Sequence, residues 1–218
     1  TFPEVAGASR RMKSTHAVAT VADAVAKGLE VDRPKAYEAC RRGIEEKTLA
    51  PWSGKPAGWI DEFWNEHGYI PALADGEQET DPNVNGFEKR QPVAVTLGTS
   101  YDEYCLSLLA DALGKTEEAA KYRQRALNYR NLYNPSTAFF HPKDKDGRFI
   151  EPFDYSFPGG MGAREYYGEN NGWVYRWDVP HNVADLMKLM GGRQQFVANL
   201  DRTFAEPLGR SKYDFYSK

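Results

Sequence analysis

Apolar residues recur at helical spacing along most of this 218-residue chain, and alternating strand patterns are scarce. That periodicity is the strongest constraint on what the chain can fold into. Between His16 and Leu29, the side chains of Val18, Val21, Ala22, Val25 and Leu29 fall on one stripe, with Gly28 near its end. Pro34 suits the first turn of a second helix with Tyr37, Cys40, Ile44 and Leu49 facing in. A third runs over about 100–113, with Tyr101, Tyr104, Cys105, Leu108, Leu109 and Ala112 inward and Gly114 as its stop. Thr116 reads as the N-cap of a fourth, where Glu117 and Glu118 suit the positive end of the helix dipole. Val183, Leu186, Met187 and Met190 mark a fifth, closed by Gly191-Gly192, and Phe196, Val197, Leu200 and Phe204 mark a sixth. Arg148–Ile150 is a short strand candidate. The expectation is an all-α chain of paired helices.

Long irregular segments separate these helices. Residues 51–58, 74–92 and 134–172 are rich in turn formers. Loops of that length on a helical scaffold are usually functional or disordered, and the aromatic content of 134–172 favours order. Neither end carries an initiator Met, a secretory signal or a closing cap, so both read as cut.

Several functions are excluded early. Lys+Arg 28 against Asp+Glu 31 leaves a net charge of -3 with no basic block, which argues against a nucleic-acid or anionic-membrane partner. No window reaches the roughly 20 apolar residues of a membrane span. Cys40 and Cys105 lack the spacing of a disulfide framework or a zinc site. Gly159-Gly160-Met161-Gly162 is not a phosphate loop, no Gly-x-Ser-x-Gly elbow occurs, and Asp144–Arg148 reads as a turn rather than an EF-hand.

The unusual feature is aromatic. Across residues 152–182, Phe153, Tyr155, Phe157, Tyr166, Tyr167, Trp173, Tyr175 and Trp177 alternate with Asp154, Glu165, Glu169, Asn170, Asn171, Asp178 and His181. Flat rings stack on the C–H faces of pyranosides while amides and carboxylates bond hydroxyls, so the mixture suits a sugar. A carboxyl beside such rings can also keep its proton near neutral pH, as a general acid must. The bland alternative is a loop that packs over helix ends. His181 and His16 read as capping or packing residues sooner than as catalysts, and His67 and His141 as solvated loop residues. Residues 109–127 have the look of one tetratricopeptide unit, but no second copy lies 34 residues away.

The order of landmarks resembles glycoside hydrolase family 92, the calcium-dependent inverting exo-α-mannosidases. His16-Ala17 is followed by Lys35–Ala39, His67–Pro71, Val95–Leu97, Tyr101–Cys105, Ala112–Lys115 and Tyr129–Asn131. Tyr167-Gly-Glu-Asn-Asn-Gly-Trp-Val-Tyr175 and then Val179-Pro180-His181 are the most specific elements, and Leu189–Gly192 and Leu200-Asp201 complete the series. Thr15 and Gly98-Thr99 depart from the family pattern, where Asp and Glu-Tyr are expected.

The resemblance implies part of an (α/α)6 barrel with long aromatic-rich loops. About seven of its twelve helices are visible. Residues 1–218 would be a fragment of the catalytic domain, without the N-terminal β-sandwich and the C-terminal part of the barrel. It places Glu169 on the general acid and Tyr167, Asn171, Trp173, Tyr175 and His181 around the substrate. It also implies calcium, with ligands mostly outside this chain, and a general base further along the polypeptide. The implied substrate is a mannose-containing glycan with terminal α-linked mannose, α-1,2 above all, met outside the cell or in the periplasm. The implied partner is the missing remainder of the same polypeptide. A non-catalytic helical module binding carbohydrate or peptide is the alternative.

Overall fold

The computed structural model describes residues 16–156 and 165–205, and the backbone of two short strands, β1 (Phe2–Glu4) and β2 (Gly7–Ser9), which pair antiparallel. Thr15, Phe157 and the glycine run 159–162 lie outside the described residues. The helices are α1 (Ala17–Ala26), α2 (Arg33–Glu45), α3 (Trp59–His67), α4 (Pro92–Ala112), α5 (Thr116–Arg125), α6 (Gly172–Tyr175), α7 (Val183–Leu189) and α8 (Arg193–Ala205). A 3-10 turn at Asn128–Leu132 leads into a two-residue hairpin of β3 (Tyr133–Asn134) and β4 (Phe139–Phe140).

The spine is α4. It packs against α1, α2, α5 and the 3-10 turn, and 16 of its 21 residues are buried. On one side Leu106, Leu109 and Ala110 meet Val18 of α1, Tyr37 and Ile44 of α2, and Ala119 and Tyr122 of α5. Val95 joins Ile60, Trp64 and Ile70 in a second cluster. Val93, Ala94 and Leu97, at the N-terminal end of α4, join the aromatic cluster of Phe63, Tyr129, Phe140, Tyr167 and Tyr175. Apolar burial on this scale supplies the driving force for the pairing.

Several expectations shift. Helix α4 begins at Pro92, two turns before the predicted start, with Pro in the first turn where its missing N–H costs nothing. Lys115, not Thr116, is the N-cap of α5. At Arg148–Ile150 there is one isolated bridge, Lys143 to Phe149, instead of a strand. His141 is buried rather than solvated, at 1% exposure.

Candidate active site

The loop holding Glu169 is seated on the N-terminal end of α4. Val93 N–H donates to the Tyr166 carbonyl at 3.0 Å. Tyr167 is wholly buried, its hydroxyl donating to the Phe140 carbonyl at 3.1 Å and its ring stacked on Tyr175 at 5.2 Å. The Tyr175 hydroxyl accepts the Gly168 N–H at 3.1 Å and donates to the Gly168 carbonyl at 2.7 Å. Burial holds both phenols above their ordinary pKa, so they remain neutral hydroxyls near pH 7.

Gly168 is tightly packed. A Cβ there would stand 2.8 Å from Gln91 Oε1 and 3.0 Å from the Tyr175 hydroxyl. The next residue, Glu169, is exposed and sits in the left-handed region at φ 59°. A non-glycine residue held there costs about 1 kcal/mol, and such strain tends to gather at functional sites.

Beyond Glu169 the chain is pinned again. Asn171 caps α6, its Oδ1 accepting from Trp173 N–H at 3.1 Å while its Nδ2 donates to the Ser156 carbonyl at 3.2 Å. The Trp173 ring stands edge-on to Phe139 at 5.0 Å, and the Arg202 guanidinium lies 5.3 Å from its centroid. Phe139 in turn stacks on Tyr155 at 4.2 Å. His141 supports that layer: Nε2 donates to the Ile150 carbonyl at 2.6 Å, leaving Nδ1 to accept from the Tyr155 hydroxyl at 2.7 Å. Burial depresses the His141 pKa and keeps the ring neutral.

Contacts therefore join Tyr167, Asn171, Trp173 and Tyr175 to the Glu169 loop. His181 has other neighbours. Its Nε2 donates to the Ala126 carbonyl at 3.0 Å, and its ring lies among Tyr101, Tyr104 and Tyr129 at 5.4–5.9 Å. Burial lowers its pKa, so it too is neutral. His16 opens α1 without capping it by a side chain, and its Nδ1 lies 2.9 Å from the buried Asp102. Gln91, buried against Gly168, and buried Glu88, which holds its amide, escape the sequence reading; they sit in a run of turn formers that carries no periodic signal. Among the described residues no group of three or more His, Cys, Asp or Glu converges to hold a metal ion. The described residues alone do not fit the calcium site that the resemblance implies.

Helix pairs around α4, with an aromatic loop at its end, are part of an (α/α)6 barrel of the kind found in family 92 mannosidase structures. The chain belongs to glycosyl hydrolase family 92: residues 2–218 match the model of its catalytic domain. An inverting mannosidase of the family from Bacteroides thetaiotaomicron superposes with a TM-score of 0.71 at 30% identity, covering 89% of this chain and 24% of its own. An α-mannosidase of the family from the same organism gives 0.69 at 25% identity, covering 88% and 22%. A protein of Arthroderma benhamiae named as an uncharacterized secreted glycosidase is 32% identical over 208 residues, 86% of this chain and 26% of its own. The chain thus spans about a quarter of the length of these relatives.

Proposed function

We propose that these residues are one fragment of the (α/α)6 catalytic domain of an exo-acting α-mannosidase, with Glu169 as its general acid. The observation that carries this reading is Glu169 itself: an exposed carboxyl at a left-handed backbone position, on a loop fixed on both sides, in a family 92 chain. In that role Glu169 gives its proton to the glycosidic oxygen as the bond to mannose breaks. Tyr167, Asn171, Trp173 and Tyr175, all buried, hold the loop that presents it, while His181 packs among Tyr101, Tyr104 and Tyr129 and supports the site from further off.

An inverting hydrolase needs a second carboxylate about 6.5–9.5 Å away to activate water on the opposite face. We assign that base to the remainder of the polypeptide, together with the calcium ligands. A β-sandwich domain on the N-terminal side completes the proposed architecture. The substrate is a glycan ending in α-linked mannose, with α-1,2 as the proposed linkage. An extracellular or periplasmic location is supported by the Arthroderma benhamiae relative, which is named as secreted; among the described residues no helix is long and apolar enough to cross a membrane.

Release of mannose from an α-1,2-mannobioside, with calcium and again after EDTA, tests the activity in the full-length polypeptide. Glu169→Gln is expected to lower turnover by about 10²–10⁴-fold, the usual contribution of a general acid, while leaving affinity for the sugar nearly intact. Unchanged turnover in that variant sinks the assignment.

A further inference from the structure

Gln91 is buried, with 3% of its surface exposed, and it stands at the start of α4 in the left-handed region (φ 46°) without capping the helix through its side chain. Its amide is committed in one direction. Nε2 donates to the Glu88 carbonyl and to Glu88 Oε2, each at 3.1 Å. Both partners are acceptors, so a flipped amide would set oxygen against oxygen; the chemistry of the pair fixes the orientation.

The other end of the amide, Oε1, then faces the loop above. It lies 2.8 Å from where a Cβ on Gly168 would stand, one residue before Glu169. The Tyr175 hydroxyl holds the same glycine through its N–H and its carbonyl. Gly168 is hydrogen-bonded by Tyr175 of α6 on one side and packed closely against the amide of Gln91, the residue that precedes α4, on the other.

We infer that Gln91 is a positioning residue for Glu169: Glu88 fixes the direction of its amide, and Gln91 with Tyr175 sets where the Gly168–Glu169 peptide lies and so where the proton is delivered. This rests on the reading of Glu169 as the general acid. Misplacing a catalytic group by about 1 Å costs on the order of 10²-fold in rate, which sets the size of the effect.

The test uses the full-length polypeptide and two substrates, an α-mannobioside and a dinitrophenyl α-mannoside. The sugar alkoxide leaving the first needs a proton, whereas the dinitrophenolate leaving the second departs without one. Gln91→Met is expected to lower kcat on the mannobioside by about 10²-fold, with KM little changed and the aryl mannoside turned over almost as by the parent. Glu169→Gln should show the same selectivity, more strongly. If Glu169→Gln is selective and Gln91→Met is either harmless or equally harmful on both substrates, Gln91 is structural only and the inference is overturned. If Glu169→Gln fails equally on both, the general-acid reading falls first and the role of Gln91 falls with it.

Discussion

Glu103 and Arg125 meet at 2.6 Å: the Glu103 side chain has no exposed surface, and among the described residues its second oxygen finds no hydrogen-bond donor. Trp64 Nε1 is a further, long contact at 3.4 Å. The pair ties α4 to α5 and α3. Burial pushes the Glu103 carboxyl up to about 7, against the opposing pull of Arg125.

A carboxyl whose folded pKa is raised stabilises the fold fully below its unfolded value, near 4.5, and loses that contribution as pH rises through about 7. Glu45 works in the opposite direction. Burial raises it, but hydrogen bonds from Lys121, Tyr122 and Arg41 outweigh burial and bring it to about 2, so its contribution is present above 4.5 and fades as pH falls towards 2. Thermal melting across pH should therefore show Glu103→Gln flattening the decline between about 4.5 and 7 while leaving the acid limb intact. A parallel curve for that variant would show that Glu103 does not titrate in this window.

Gly168→Ala places a methyl group 2.8 Å from Gln91 Oε1 and 3.0 Å from the Tyr175 hydroxyl. Making room at the Tyr175 hydroxyl strains the two hydrogen bonds that hold Gly168, which displaces Glu169. We expect a loss of turnover on the order of 10²-fold with a fall of only a few degrees in melting temperature. Full activity in this variant would show that the loop absorbs the methyl elsewhere.

Leu106 is fully buried at the junction of α1, α2, α4 and α5. Leu106→Ala should cost about 2–5 kcal/mol, the range for a core leucine that leaves a cavity. Urea unfolding with an unchanged slope would measure it, and a loss below about 1 kcal/mol would mean that the neighbours collapse into the space.

Asn171→Ala removes the cap of α6 and its tie to the Ser156 carbonyl. The stability lost should be about 1 kcal/mol, readable by denaturant titration. Turnover should fall further than that stability loss implies, because α6 carries Trp173 and Tyr175. Equal and small effects on both would confine Asn171 to capping.

Much of this fold is legible in the sequence because a helix buried on one face keeps its stripe. Val18 and Ala22 in α1, Tyr37 and Ile44 in α2, and Ala119 and Tyr122 in α5 are the buried residues of those helices. Helix α3 escapes for a physical reason. Buried Asp61 interrupts its apolar stripe, because its carboxylate accepts the N–H groups of Leu49 and Gly58 across the preceding loop. The first two turns of α4 escape because they are buried on all sides, so Val93–Leu97 has no polar phase to reveal a period. At the candidate site, the aromatic density and the resemblance lead to Glu169 and the loop around it. They do not lead to Gln91, whose place beneath Gly168 arises only when residues 77 positions apart in sequence come together.

The enclosure of α4 has a consequence for how this protein tolerates change. A helix lying on a surface accepts substitution in a rhythm, strict on one face and lenient on the other. With 16 of its 21 positions enclosed, α4 has scarcely a lenient face. A saturation library spanning 92–112 should therefore return a nearly unbroken block of intolerant positions, relieved at outward residues such as Leu108 and Asp111, while α5 beside it keeps the helical beat.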